Sequence, residues 1–225
     1  MVGPTEARLV RALSAEAKWL AGECAPSRDL HVFLTETVSD VPPVVTRIAN
    51  RLAKVHLERA RTALTGARYT AFKGQLAAFS QTTASTSPSR LDDFGRAVLD
   101  QRHGKVEKRG HKIGSLDGKR LHRLRIAIKK LRYAAAFLRP AFASKASKAY
   151  IEATVRLQGA LGALNDREVA SQMLADIAVA AQPTEDVERP LRKLAKEAAG
   201  GAKHRRRRLQ RAWKAFRKAE RFWRA

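Results

Sequence analysis

Apolar residues recur along this chain at spacings of three and four, the period of an α-helix. Residues 119–133, KRLHRLRIAIKKLRY, show the pattern best. Wound as a helix, Leu121, Leu124, Ile128, Leu131, Ala135 and Leu138 form one apolar stripe. Ala, Leu, Lys and Arg dominate elsewhere, with Gly and Pro between the periodic segments, and nothing reads as a sheet. The pattern predicts helices near 5–24, 28–38, 43–64, 68–80, 90–109, 119–139, 145–163, 166–180 and 187–218, and therefore an all-α fold.

Three stretches break the periodicity. SQTTASTSPS (80–89) is small, polar and proline-containing, and reads as a linker. HKIGSLDGK (111–119) carries Asp117 and Gly118, which suit a turn or helix N-cap. QPTED (182–186) is the third. The expected organisation is a first helical repeat over 1–80, a linker over 81–89 and a second repeat over 90–225, together one domain.

The halves look related. LAGECAPSRDL (20–30) matches LQGALGALNDR (157–167) at an offset of 137 residues. Each reads as a helix end, a short turn and a new helix, with Asp29 or Asp166 as N-cap. RARTALTGARY (59–69) likewise echoes RLQRAWKAFRKAERFW (208–223). His122 stands 44 residues ahead of Asp166; the same distance ahead of Asp29 falls before residue 1. The first copy is thus expected to lack the helix corresponding to 119–139. That leaves an apolar face for a partner chain or a second copy to cover.

Composition adds a partner. Lys and Arg number 45 against 21 Asp and Glu, a net charge of +24. Residues 1–89 hold 11 basic and 7 acidic residues; residues 90–225 hold 34 and 14. A field this strong calls for a nucleic acid, an anionic membrane surface or a free polyanion, mainly against the second part. No run is long and apolar enough to span a membrane and no signal-peptide core opens the chain, so a cytoplasmic protein is expected. Cys24 is the single cysteine, which excludes an internal disulfide. Aromatics are only 6%, and Trp213, Phe216, Phe222 and Trp223 read as core packing and a chain-end anchor rather than a base-stacking platform.

The candidate site follows from the cations. His122, Arg125, Lys129 and Arg132 fall at i, i+3, i+7 and i+10, one narrow face opposite the apolar stripe. Arg102, Lys105, Arg109 and Lys112 repeat that spacing. Arg51, Lys54 and Arg61, with Arg47, share a face interrupted by Glu58; Arg205, Arg208 and Arg211 flank Leu209, Ala212, Trp213 and Phe216. Antiparallel packing would let these rows converge on one channel. Arg grips phosphate oxygens in pairs, Lys supplies a mobile point charge, and His donates from either ring nitrogen. Catalytic signals are poor. No HExxH or GxSxG occurs, and GSLDGKR (114–120) lacks P-loop spacing, with Arg120 where the magnesium-holding Ser or Thr would stand. A binding protein with no cofactor, no metal and no enzymatic activity is expected.

LHRLRIAIKKLRY (121–133), LQGALGALNDREVA (157–170) and RLQRAWKAFRKAERFW (208–223) resemble the CHAD family, the conserved histidine α-helical domain. WLAGECAPSRDLHVFL (19–34) and TALTGARYTAF (62–72) look like the matching first-half segments. The resemblance implies two four-helix repeats around a basic central cavity, here with the first repeat incomplete. It also implies binding of inorganic polyphosphate and association with polyphosphate granules. The ExExK signature of the triphosphatase domain that accompanies some members is absent. Two further readings stand beside it: an architectural nucleic-acid-binding protein reading backbone charge alone, and an accessory domain that senses polyphosphate for an enzyme.

Overall fold

Local signals start or stop several of the helices, and the buried faces select their neighbours. The computed structural model describes residues 4–37, 40–82, 91–142, 145–181 and 184–224. Among them there are eight α-helices and no strand. They are α1 (Pro4–Val32, running into a π-helical turn Phe33–Thr37), α2 (Pro43–Thr65), α3 (Ala67–Thr82), α4 (Leu91–Gly110), α5 (Gly118–Leu138), α6 (Ala146–Ala180), α7 (Glu185–Ala199) and α8 (Ala202–Lys218). Pro43 opens α2 at a position where a missing N–H costs nothing. Asp117 caps α5, its carboxylate accepting from the Arg120 backbone N–H at 2.7 Å.

Two differences from the expected elements share one cause. The turns expected at Arg28-Asp29 and at Asn165-Asp166 are helical: α1 continues through Pro26 and α6 through Asn165. Asp29 and Asp166 are therefore not N-caps. Past each site the helix carries buried apolar side chains, Leu30 in α1 with Phe33 in the π-helical turn that continues it, and Ala170, Leu174 and Ile177 in α6. Their burial outweighs the weak local preference for a break. The helix expected over 187–218 does break, between α7 and α8, where Gly201 takes a left-handed φ of 68°. The linker expected at 81–89 lies, from residue 83 on, outside the described residues; Gln81 and Thr82 extend α3.

The chain forms two compact units that do not follow its halves. The first takes the described residues of 1–87 and of 169–198; the second takes those of 88–168 and of 199–225. Residues 169–198, grouped above with the rest of 90–225, thus sit in the first unit, because α6 gives its residues up to Glu168 to one core and those from Val169 to the other.

The first unit's core joins Leu30 and Phe33 to Val45 and Ala49 of α2, Leu174 and Ile177 of α6, and Val187, Leu191 and Leu194 of α7. On its surface Glu16 pairs with Arg68 at 2.7 Å and Glu23 with Arg59, and the Arg68 guanidinium lies 4.0 Å over the Trp19 ring. These hydrogen-bonded arginines hold both carboxyls below the usual carboxylate range.

The second unit is built on α5. Leu124, Ile128, Leu131 and Ala135 are fully buried against Leu99 and Val106 of α4, Leu157 and Leu161 of α6, and Leu209 and Phe216 of α8. Gly110 ends α4 under the Trp213 ring, where an added Cβ would come within 2.1 Å of the indole. At the chain's end Phe222 and Trp223 are buried too, so these aromatics are core, as the composition suggested.

His103 of α4 lies within this core, 3% exposed, with Nδ1 2.7 Å from the Tyr150 hydroxyl and Nε2 3.6 Å from Glu107. Phe216 and Trp223 close over its ring. Glu107 draws the imidazole proton to Nε2, leaving Nδ1 to accept from the phenol. Burial pushes the His103 pKa below 6.5, against the partial pull of Glu107. Below pH 6.5 the unfolded chain takes up a proton that the folded chain refuses, so stability falls as pH falls through that value. Thermal denaturation is expected to show a midpoint that drops from pH 8 toward pH 5.5. In His103→Asn the drop should be distinctly shallower; an equal drop would assign the pH dependence to other groups.

Candidate anion-binding face

Because α5 buries the stripe from Leu124 to Leu138, the flank beside it faces outward, and His122, Arg125, Lys129 and Arg132 line that flank. His122 and Lys129 are exposed; Arg125 and Arg132 are half-buried. The His122 Nδ1 stands 3.2 Å from the side-chain oxygen of Asn165 on α6. Nδ1–H donates there, which fixes the orientation of the ring. At this end a cavity of about 470 Å³ is bounded by Leu121, His122, Leu164, Asn165 and Glu168.

The Nε of Arg125 and the Nε of Arg132, like that of Arg102 on α4, are shut off from water and meet no hydrogen-bond partner among the described residues. A buried donor without an acceptor costs about 1–3 kcal/mol. Swinging either guanidinium onto an oxyanion therefore breaks no protein hydrogen bond at that nitrogen. Seven residues separate the two along the helix, about 10 Å at 1.5 Å per residue. Arg132 also lies 4.5 Å over the Tyr133 ring, with Lys129 at 6.0 Å.

The other expected rows sit elsewhere. On α4, Arg102 lies beside Lys130, Tyr133 and Phe137 around a groove of about 900 Å³. Arg109 donates to the Arg123 backbone oxygen at 2.9 Å. With Lys108, His111, Lys112, Arg120 and Arg123 it lines a cavity of about 410 Å³. Arg123 and Lys130 are on the side of α5 away from Arg125 and Arg132, so α4 flanks α5 on that opposite side. Lys105 is exposed. The α4 row does not join the α5 row, because the apolar residues of α4, not its cations, set how it packs.

On α8, Arg205 is half-buried and donates to the Gly200 carbonyl, a local cap. Arg208 is exposed, and Arg211 lines a separate cavity of about 520 Å³ with His204, Arg207 and Lys214. Arg51, Lys54 and Arg61 are exposed on α2 of the first unit; Arg61 pairs with Glu58 at 2.7 Å. Sequence reasoning missed Asn165 as the partner of His122, having taken it for a turn residue. It also missed the cationic cavity around Arg109 and Arg123, whose signal was the density of basic residues from 108 to 123. No cluster of His, Cys, Asp and Glu fit to hold a metal ion occurs among the described residues.

An all-helical chain with a rigid basic ridge beside a buried stripe defines the class: a cationic helical-bundle protein. A model of the CHAD domain matches residues 4–175, and the chain belongs to the CHAD family. It is similar to the crystal structure of the CHAD domain from the plant Ricinus communis, at 27% identity and a TM-score of 0.77, over 93% of this chain and 73% of that one. Comparison with curated proteins finds no match.

Proposed function

We propose that this protein binds inorganic polyphosphate along the α5 face, with His122, Arg125, Lys129 and Arg132 as the principal ligands, and does so without turning it over. The observation that carries the proposal is the pair of half-buried arginines, Arg125 and Arg132, each with a buried Nε lacking a partner on a ridge of cations. Polyphosphate is dense negative charge without bases. Recognition needs placed cations and no aromatic platform, and Phe216, Phe222 and Trp223 near the chain's end are buried in the core. Family membership supports the reading, since the resemblance implied polyphosphate as ligand. Association with polyphosphate granules belongs to the same proposal. No helix among the described residues is long and apolar enough to cross a membrane.

The test is a competition titration of long-chain polyphosphate against duplex DNA at two salt concentrations. Polyphosphate is expected to win at equal charge in both. Equal or better DNA affinity would instead favour a nucleic-acid-binding protein reading backbone charge. Incubation with magnesium or manganese should leave the chain length of polyphosphate unchanged; turnover that survives repurification would make the protein an enzyme.

A further inference from the structure

The α5 face leaves one part of the second unit without a role. Between α4 and α5 runs a groove of about 900 Å³ whose walls include Phe94, Val98, Tyr133 and Phe137. Phe137 is 82% exposed, Phe94 57% and Tyr133 54%. A polyanion gains nothing from such rings. Large apolar side chains clustered in an open trough mark a place where something docks.

The border of the trough says what. Arg102 and Lys130 line it, and neither has a carboxylate within ion-pair distance among the described residues; the Nε of Arg102 is buried without an acceptor. An apolar floor with cationic rims is complementary to a helix whose apolar stripe is flanked by carboxylates, and a trough between two helices accepts a rod about 10 Å wide. A second copy of this chain is a poor occupant. It would bring more cations of a +24 protein against Arg102 and Lys130. A flat anionic membrane suits a concave trough less well. Residues 80–89, SQTTASTSPS, offer no bulky apolar side chain to fill the trough from within.

We infer that the α4–α5 groove of Phe94, Tyr133 and Phe137, rimmed by Arg102 and Lys130, is a docking site for an acidic amphipathic helix of a partner protein. The probe is a synthetic helical peptide of about five turns, with a Leu and Phe stripe flanked by Glu, measured by fluorescence anisotropy at physiological salt. Two controls accompany it: the same composition scrambled, and the same stripe flanked by Lys. The Glu peptide is expected to bind at least tenfold tighter than either control. Phe94→Ser with Phe137→Ser should weaken it at least tenfold while polyphosphate affinity stays within twofold, since both rings lie outside the α5 anion face. Equal binding of the scrambled peptide, or unchanged affinity of the double variant, would reduce the effect to general attraction by the basic surface and overturn the inference. So would sedimentation showing a dimer that the same variant dissolves, or phosphatidylserine vesicles that bind in its place. Failure of polyphosphate binding alone would leave the groove's test intact, because the peptide assay does not depend on it.

Discussion

Trp223→Ala is expected to destabilise the second unit by about 3–5 kcal/mol, the range for removing a fully buried large aromatic. Trp223 has no exposed surface. Its ring meets Tyr150 at 4.9 Å, Phe222 at 5.1 Å and His103 at 5.9 Å, each edge-on. Its Nε1–H donates to Asp100 at 2.8 Å, and the same carboxylate takes the Nε and Nη2 of Arg224, each at 2.9 Å. These bonds hold the Asp100 carboxyl below its usual range, Arg224 contributing most. One residue near the chain's end thus fastens α4 to α6 and α8. With total stability near 5–15 kcal/mol, the loss is a large share. Urea denaturation followed by far-ultraviolet circular dichroism reads it. Trp223→Phe should cost much less, because most of the ring contacts remain and Asp100 keeps Arg224. An alanine variant with an unshifted midpoint would mean that the aromatic cluster does not hold this unit together.

Arg125→Ala combined with Arg132→Ala is expected to weaken polyphosphate binding at least tenfold. It should also flatten the dependence of log K on log salt by about 1.5–2, one released counterion for each lost cation. Stability is expected to move by no more than about 1 kcal/mol. Truncation removes aliphatic packing, but it also removes two buried Nε donors that have no acceptor. The two readouts separate binding from folding. Lower affinity with the salt slope intact would take both arginines out of the site. Lys substitutions at the same positions should restore the slope and only part of the affinity, since an ammonium keeps the charge and loses the paired geometry.

How far the fold was legible follows the physics of each element. Helix α5 was read almost to the residue, because its stripe, its Asp117 cap and its basic flank are all local. Pro43 and Thr65 bound α2 nearly where its periodicity did. Asn165 and Asp29 misled for the opposite reason: both favour caps by local preference, and both are held in helix by partners distant in sequence. The candidate site divided along the same line. The row from His122 to Arg132 lies on a single helix, so 3.6 residues per turn places it. Whether Arg102 and Arg109 join it depends on which side of α5 carries α4. No spacing within α4 encodes that.

By itself the sequence determined the class of structure and its charge: a helical protein carrying +24, with imidazole, guanidinium and ammonium aligned on one buried-backed helix. Periodicity and charge are properties of the chain read a few residues at a time, so they survive without coordinates. Tertiary packing alone decided that residues 169–198 join the first unit, that the cationic rows of α4 and α8 lie apart from that of α5, and that His103 is enclosed by Tyr150, Phe216 and Trp223. Each of these depends on which apolar surfaces meet. That is settled by the total area withdrawn from water over the whole molecule rather than by any local preference.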